Sequence, residues 1–212
     1  MLKFKIVLAG SKHVGKSSLI ARFCDDVFLE KSIDTIGVAF KRKVITANNF
    51  TTPVDADLVI WDFGGEEKYR TLFPNYLNMA YGAVIIFDLT RPETMQDVQN
   101  WWNIIKSNTD EEMIPILVGS KCDLVDERQI SKKEIDNFMV ENDLHCDYLE
   151  TSAKTGENVE LTFLSMATRI INLRFQECIH CNEIVAKNLK ICNYCGEDMA
   201  DSQNNATPEK IS

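Results

Sequence analysis

The sequence lacks several features that would place a protein in common functional classes. No run approaches the roughly 18 apolar residues that a membrane-spanning helix needs. We expect no signal peptide, because the apolar run at residues 6–9 is short and leads directly into a glycine-rich loop. Basic residues are too few for a nucleic-acid partner, since 23 Lys and Arg against 32 Asp and Glu give a net charge of −9. Any phosphate must therefore be held by a local, preorganised site.

Four of the seven cysteines lie between residues 178 and 195, and the others are scattered singly. An odd number of cysteines without a secretion signal is typical of a reducing compartment, where thiols are free or bind metal. We therefore expect a cytoplasmic protein.

Apolar runs alternate with amphipathic stretches over residues 2–176. Strands are predicted at residues 6–9, 58–61, 83–87, 114–119 and 148–149, several of them apolar on both faces. Helices are predicted at residues 16–24, 92–107, 132–141 and 159–175. An edge strand at 41–46 is expected to pair with 58–61 through a turn at 48–53. This order predicts an α/β domain with a mostly parallel sheet, which binds ligands at the carboxyl ends of its strands.

Residues 10–17, GSKHVGKS, fit the pattern G-x-x-x-x-G-K-[ST] and lie between a predicted strand and a predicted helix. The glycines let backbone N–H groups turn inward around phosphate oxygens, and the helix N-terminus adds positive potential. Lys16 would reach the outer phosphates, and the Ser17 hydroxyl would bind Mg²⁺. A chance match in a turn is the alternative, which the strand–loop–helix setting disfavours.

Two further segments suit the magnesium ion and the last phosphate. Asp62 ends a predicted strand, where its carboxylate can hold a Mg²⁺-bound water, and the N–H of Gly65 can meet a γ-phosphate. Thr35 lies in a polar stretch, and its hydroxyl suits a Mg²⁺ ligand that engages only when a γ-phosphate is present. A threonine in a loop is otherwise a surface hydroxyl.

Two loops suit a guanine base. Asp123, in the segment 120–123 (SKCD), can accept two hydrogen bonds from N1–H and the amino group of guanine, a pattern that adenine cannot offer. Lys121 can lay its aliphatic stem on the base. Residues 152–154 (SAK) follow the last predicted strand and offer a backbone N–H to the guanine carbonyl. These features disfavour a P-loop ATPase.

The spacing of these five loops over residues 1–176 resembles that of the small GTPases of the Ras superfamily. The segments 35–40 (TIGVAF), 67–72 (EKYRTL) and 151–158 (TSAKTGEN) are similar to those of its Rab branch. The resemblance implies a three-layer P-loop NTPase fold with a mostly parallel six-stranded sheet and helices on both faces. It also implies a monomeric GTP-binding switch that hydrolyses GTP to GDP and signals through loops 26–40 and 63–76.

Motifs and resemblance together give the expected site. The nucleotide-binding residues are His13, Val14, Gly15, Lys16, Ser17, Ser18, Phe28, Thr35, Gly65, Ser120, Lys121, Asp123, Ser152, Ala153 and Lys154. The catalytic residues are Lys16, Thr35, Gly65 and Glu66, and the Mg²⁺ ligands are Ser17, Thr35 and, through water, Asp62. The resemblance makes Phe28 the aromatic that covers the guanine. Effectors of Rab-like proteins would contact Phe40, Trp61 and Tyr76, for which core packing is the alternative.

Several residues depart from the family pattern, among them Phe63, Gly64 and His13, and three further departures bear directly on the chemistry. Glu66 stands where a glutamine usually orients the attacking water; a carboxylate accepts but cannot donate, so we expect slow intrinsic hydrolysis. Lys12 replaces a small residue and could clash with the transition state, add charge to the γ-phosphate or point to solvent. Ser120 replaces an asparagine and is expected to tie its loop to the P-loop with fewer hydrogen bonds. A GTP-binding interaction module with negligible turnover is the alternative to a hydrolysing switch.

The C-terminal cysteines, Cys178-x2-Cys181-x10-Cys192-x2-Cys195, have the spacing of a zinc ribbon. Four thiolates suit tetrahedral Zn²⁺ in a closed structural site, where the metal supplies the folding free energy of so short a segment. Two disulfides conflict with a cytoplasmic protein, a redox Cys-x-x-Cys lacks its βαβ context, and an iron or iron–sulfur site is the minor alternative. The charges of the segment favour a protein partner over nucleic acid.

Composition divides the chain into three parts. We expect a GTPase domain at 1–176, a zinc-ribbon-like four-cysteine module at 177–199 and a polar, disordered tail at 200–212. The sequence ends without the terminal cysteines that are prenylated in Rab proteins, so no membrane anchor is expected.

Overall fold

The computed structural model describes residues 1–29, 35, 37–64, 73–109 and 113–199. The strands are β1 (Leu2–Ala9), β2 (Val38–Ala47), β3 (Val54–Phe63), β4 (Gly82–Asp88), β5 (Ile114–Ser120), β6 (Asp147–Thr151), β7 (Phe175–Glu177) and β8 (Ile184–Ala186). The α-helices are α1 (Lys16–Asp25), α2 (Phe73–Leu77), α3 (Pro92–Gln96), α4 (Val98–Asn108), α5 (Lys132–Glu141) and α6 (Val159–Arg174). Within the ranges given, no helix is long and apolar enough to cross a bilayer.

Six strands form one sheet in the order β2-β3-β1-β4-β5-β6. Strand β2 is antiparallel to β3, with Phe40 opposite Trp61, and the other neighbours are parallel. The carboxyl ends of β1, β3, β4, β5 and β6 therefore meet at one edge of the sheet. This mostly parallel sheet confirms the predicted α/β architecture.

The core lies in two layers, one on each face of the sheet. Ile6 and Leu8 of β1 belong to the cluster that contains the apolar sides of α1 and α6, whereas Val7 and Ala9 belong to the cluster on α2, α4 and α5. Successive side chains of a strand point to opposite faces, so one buried strand contributes to both clusters. The continuous apolar runs in the sequence reflect this double burial.

The predicted strands and helices of residues 1–176 are confirmed, with differences at their ends. The segment predicted as one helix at 92–107 forms two helices, α3 and α4, which are separated at Asp97. The last helix ends at Arg174 instead of residue 175. Phe175 is extended because it pairs with Ala186 and packs its ring 6.0 Å from that of Phe4. The capping box of α5 is confirmed, with Ser131 N–H donating to the Glu134 carboxylate at 2.7 Å.

The C-terminal segment forms a small ribbon against the sheet domain. Strands β7 and β8 pair as a hairpin, and a small core contains Cys178, Val185, Cys192 and Met199. The Glu177 carboxylate accepts from the N–H of Thr51 at 3.0 Å and from the Thr51 hydroxyl. The ribbon therefore docks on the turn between β2 and β3, at the edge of the sheet opposite the carboxyl ends of the parallel strands.

Candidate functional site

The loop between β1 and α1 wraps around a lysine. Lys16 is buried, and its Nζ donates to the carbonyl oxygens of Gly10 at 2.7 Å and Ser11 at 2.8 Å. A Cβ on Gly10 would lie 2.2 Å from the carbonyl oxygen of Ile86, so only glycine fits where the loop crosses β4. Gly15 precedes α1 at φ 97°, and no side chain of the described residues caps this helix. The first-turn N–H groups are thus available to an anion.

Three oxygen-bearing side chains converge beside that loop. Ser17 Oγ lies 2.5 Å from Asp62 Oδ2 and 2.8 Å from Thr35 Oγ1, and Thr35 Oγ1 lies 3.2 Å from Asp62 Oδ2. Adjacent oxygen ligands of an octahedral Mg²⁺ ion, each bound at about 2.0–2.1 Å, are separated by about 2.9 Å. Ser17 and Thr35 therefore already have the spacing of neighbouring ligands of such an ion.

The Asp62 carboxylate of this cluster has the properties of a cation ligand. Asp62 is 5% exposed, and among the described residues its Oδ1 has no hydrogen-bond partner. Burial raises the pKa of Asp62 above its usual value, and contacts with Ser17, Lys16 and Thr35 offset this only in part. A buried anion with an unsatisfied oxygen is stabilised by a nearby positive charge. The donor set thus fits Mg²⁺.

A cavity of about 480 Å³ opens between the P-loop and the ends of β5 and β6. It is lined by His13, Gly15, Ser18, Leu19, Phe28, Leu29, Ile86, Ser120, Lys121, Asp123, Leu124, Thr151, Ala153 and Lys154. This volume is typical of a small-molecule site. Most of the residues that the sequence predicted for the nucleotide line this cavity, so the structure brings the predicted base-binding loops together.

The hydroxyl groups of Ser120 and Ser152 hold the loops that line the cavity in place. Ser120 Oγ lies 2.6 Å from the carbonyl oxygen of Val14 and 2.8 Å from that of Phe87. A hydroxyl has one proton and donates to one carbonyl at a time. The shorter side chain at position 120 therefore does tie its loop to the P-loop. Ser152 is fully buried, and its Oγ accepts from the N–H of Thr155 at 3.0 Å, which closes the turn at 152–155.

The sequence analysis missed a buried carboxylate at the end of β4. Asp88 is 0% exposed and accepts from Lys121 Nζ at 2.6 Å, Arg91 Nε at 3.0 Å and the N–H of Thr90 at 2.9 Å. Burial alone raises the pKa of Asp88, but hydrogen bonds from Lys121 and Thr90 outweigh it, and the pKa lies below its usual value. Arg91 also donates to the carbonyl oxygen of Lys12 at 3.0 Å. Asp88 thus fixes Lys121 and, through Arg91, the P-loop.

A second support of the P-loop comes from the junction of α3 and α4. Ser11 Oγ donates to Asp97 Oδ2 at 2.5 Å, and Trp101 Nε1 donates to the same oxygen at 3.1 Å. Ser11 lies 86 residues from Asp97 along the chain, and no local motif points to this contact. Asp88, by contrast, could have been found from the sequence, because it directly follows a continuous apolar run, as Asp62 does.

The three predicted partner-binding aromatics are in contact. Ring centroids of Phe40 and Trp61 are 5.8 Å apart, and those of Trp61 and Tyr76 are 5.7 Å apart. Phe40 is 64% exposed, whereas Trp61 and Tyr76 are partly buried against the core cluster that lies on α2, α4 and α5. The trio therefore combines core packing with an exposed apolar surface.

Two predicted catalytic residues lie outside the described residues. These are Gly65 and Glu66, within the gap at 65–72. Parts of the loops 26–40 and 63–76 lie outside as well.

The four C-terminal cysteines converge at a second site. Their Sγ atoms all lie within 4.8 Å of one another, with Cys178 to Cys195 at 3.8 Å and Cys181 to Cys192 at 3.7 Å. Tetrahedral coordination by sulfur at about 2.3 Å from Zn²⁺ places the sulfurs about 3.8 Å apart. Hydrogen bonds from the N–H groups of Cys195 and Tyr194 lower the pKa of Cys192 to about 6. The N–H of Glu183 lowers the pKa of Cys181, but burial and the neighbouring thiols outweigh it, so that pKa is raised. Without a metal, the cluster therefore favours one thiolate beside thiols that hydrogen-bond to it. The cluster is compatible with a small metal-binding module.

Comparison with known proteins agrees with this geometry. The model of the Ras family matches residues 5–172. The chain is 38% identical over 169 residues to the Ras-related protein RIC1 of Oryza sativa subsp. japonica, covering 80% of this chain and 81% of that protein. It is 39% identical over 169 residues to the Ras-related protein Rab-1A of Dictyostelium discoideum, with 80% and 81% covered.

A third relative is the Ras-related protein RABD2c of Arabidopsis thaliana, 38% identical over 167 residues that cover 79% of this chain and 80% of the relative. The residues matched by the family model include the P-loop, the oxygen cluster and the cavity, whereas the four clustered cysteines lie beyond them. The chain therefore belongs to the Ras family.

Proposed function

We propose that the protein is a GTP-binding switch that hydrolyses GTP to GDP slowly when no partner assists it. Membership of the Ras family supports a small GTP-binding switch with GTPase activity that uses GTP or GDP and Mg²⁺. The observation that carries the proposal is that a lysine-centred loop, an oxygen cluster and a cavity with an acceptor carboxylate meet at one edge of the sheet.

The base would bind in the cavity. The Asp123 carboxylate accepts from N1–H and the amino group of guanine, and Phe28 and the stem of Lys121 cover the two faces of the ring. Asp88 holds the ammonium of Lys121 by an ion pair, which would leave the methylene groups of this cavity-lining residue to cover the base. Selectivity for guanine follows, because adenine would leave the carboxylate unpaired.

The phosphates would bind along the P-loop. Lys16 Nζ faces the loop, and the uncapped N-terminus of α1 supplies N–H donors to the phosphate oxygens. Ser17 and Thr35 would hold Mg²⁺ directly, and Asp62 would hold it through water. Bound there, Mg²⁺ neutralises charge on the triphosphate. Thr35 precedes β2, so the loop 26–40 would be ordered by GTP and released with GDP, and the loop 63–76 likewise through Gly65.

Competition binding with a fluorescent guanine nucleotide tests the base assignment. We expect GTP and GDP to displace the label, while ATP at the same concentration does not. Equal displacement by ATP would contradict the proposal. The nucleotide retained by the purified protein separates the switch from its alternative: GDP indicates turnover, and GTP indicates an interaction module with negligible hydrolysis.

Turnover is expected to be limited by Glu66. A carboxylate can accept a hydrogen bond from the attacking water but cannot donate one to a phosphoryl oxygen, and its charge opposes the triphosphate. Glu66→Gln restores one donor and should raise the single-turnover rate of GTP hydrolysis roughly tenfold, the value of one hydrogen bond made in the transition state. Lys12→Ala, measured in parallel, shows whether that lysine helps or hinders.

Glu127→Gln is the matched control, because Glu127 is an exposed acid at the end of a short 3-10 helix. We expect it to leave the rate unchanged. Loss of hydrolysis in Glu66→Gln would identify the carboxylate as a working base and would overturn this account of the loop.

Phe40, Trp61 and Tyr76 form the surface that we propose protein partners contact. Phe40, whose ring is exposed, ends the loop 26–40 and contacts Trp61, which precedes the loop 63–76, so a change of nucleotide would alter its surroundings. Apolar aromatic surface of this kind is typical of the centre of a protein interface.

We further propose that Cys178, Cys181, Cys192 and Cys195 bind Zn²⁺ in a structural site. Their sulfur separations support a tetrahedral ion, and the surrounding segment has only a four-residue core of its own. The match at 5–172 supports the proposed division into a GTPase domain at 1–176 and a metal module at 177–199. Strand β7 crosses that boundary and packs on the larger domain.

A further inference from the structure

Arg22, in the last turn of α1, connects two loops that are distant in sequence. Its Nε donates to the carbonyl oxygen of Ala153 at 2.7 Å, and its Nη2 donates to that of Lys154 at 2.9 Å. Its Nη1 donates to the carboxylate of Asp26 at 2.9 Å and to the carbonyl oxygen of Asp26 at 3.2 Å. The side chain is 19% exposed. All three guanidinium nitrogens are thus engaged, which holds the group in one orientation.

The direction of these contacts sets the direction of the peptide groups in the loop. A trans peptide is planar, and its C=O and N–H point in opposite directions. Because the Ala153 carbonyl points to Arg22, the N–H of Lys154 points away from Arg22. Ala153 and Lys154 both line the cavity that holds Asp123. That N–H therefore lies on the side of the peptide opposite Arg22, in a loop that lines the cavity.

The loop has little else to fix this orientation. Within the described residues, Ser152 closes the turn: its Oγ accepts from the N–H of Thr155, its carbonyl accepts from Gly156 at 2.8 Å, and its own N–H donates to the carbonyl of Glu157 at 3.1 Å. The Thr155 N–H and the Lys154 carbonyl belong to one planar peptide, so Ser152 helps to orient that peptide as well. These contacts do not engage the peptide between Ala153 and Lys154, whose carbonyl accepts from Arg22. The guanidinium fork matches two adjacent carbonyls, a geometry that a single ammonium group does not reproduce.

We infer that Arg22 is a positioning residue for base recognition, which aims the backbone N–H of Lys154 at the carbonyl oxygen of guanine. The inference rests on the proposed binding of GTP and GDP. Helix α1 carries the phosphate-binding N-terminus at one end and Arg22 at the other. The arginine thereby also fixes the distance between the N-terminus of α1, where the phosphates would bind, and the Lys154 N–H that would meet the base.

The test compares GDP with 6-thio-GDP, in which a sulfur, a weak acceptor, replaces the carbonyl oxygen of the base. The wild-type protein should prefer GDP by roughly threefold to tenfold, the value of one ordinary hydrogen bond. Arg22→Met should bind GDP more weakly and lose most of that preference. Arg22→Lys, which can hold only one carbonyl well, should show an intermediate preference. Dissociation constants are measured by equilibrium titration with Mg²⁺ present.

Arg169→Met is the matched control. Arg169 also pairs with a carboxylate, that of Asp147, but at the start of β6, at the other end of the strand from the loop. It should keep the preference of the wild-type protein. Thermal unfolding checks that each variant is folded, and Arg22→Gln replaces Arg22→Met if the latter does not fold.

Three outcomes overturn the inference. If Arg22→Met weakens both nucleotides by the same factor, Arg22 has only a structural role. If it changes neither, the loop keeps its orientation without the arginine. If the wild-type protein binds both nucleotides equally, the loop does not donate to the base carbonyl, although guanine binding through Asp123 stands. Failure to bind GDP at all would instead refute the proposed function.

Discussion

Replacing Asp123 with asparagine is expected to change the preferred base from guanine to xanthine. The carboxylate accepts two hydrogen bonds from guanine, and an amide can accept only one and must donate the other. Xanthine keeps N1–H but carries a carbonyl in place of the amino group, so it matches an amide. Affinity for GDP should fall roughly a thousandfold, because a site built for hydrogen bonding rejects a mismatched partner strongly. Titration with GDP and xanthosine diphosphate measures both effects.

Asp126→Asn is the control for this exchange. Asp126 is an exposed acid in the 3-10 helix that follows the cavity-lining Leu124. It should leave the affinities for both nucleotides unchanged. An Asp123→Asn protein that still prefers GDP would show that another group recognises the base.

Loss of one cysteine of the quartet is expected to remove the metal and unfold the small module. Cys178 is fully buried in the four-residue core, and the metal would supply most of the folding free energy, about 10–16 kcal/mol for comparable structural zinc sites. Cys178→Ser should therefore lower the zinc content from about one ion per chain to none. Elemental analysis measures the metal, and limited proteolysis reports cleavage near residues 177–199.

Cys146→Ser serves as the control, since Cys146 is a partly buried thiol outside the cluster. Its zinc content and protease resistance should equal those of the wild-type protein. GDP binding should survive in both variants, because the module docks at the edge of the sheet far from the cavity. Four freely reactive thiols and no metal in the wild-type protein would remove the proposed zinc site.

The architecture of residues 1–176 could be predicted because burial leaves a strong periodic signal. Strand β4 is apolar at nearly every position since helices cover both of its faces. The ends of elements were less predictable because tertiary contacts decide them. Phe175 continues the helical pattern of the sequence, yet pairing with Ala186 and packing on Phe4 make it extended.

The parts of the site that a local motif encodes were also predictable. Gly10, Lys16 and Ser17 lie within one short motif, which spans the loop after β1 and the first turn of α1 and requires those residues. Arg22 and Asp97 could not be found in this way, because their partners lie 131 and 86 residues away along the chain. Ordinary helix positions, such as that of Arg22 in α1, give no sign of a distant carbonyl partner.

The docking of the four-cysteine module determines how the molecule is presented to its surroundings. Helix α6 ends at Arg174 and β7 begins at Phe175, so no linker separates the module from the sheet, and Glu177 holds it to the turn at Thr51. Strand β3, ten residues long, spans about 33 Å from that turn to the nucleotide end. A protein that bound only the module would therefore contact the end of the sheet opposite the oxygen cluster and the cavity, and would leave those two sites open to a second protein.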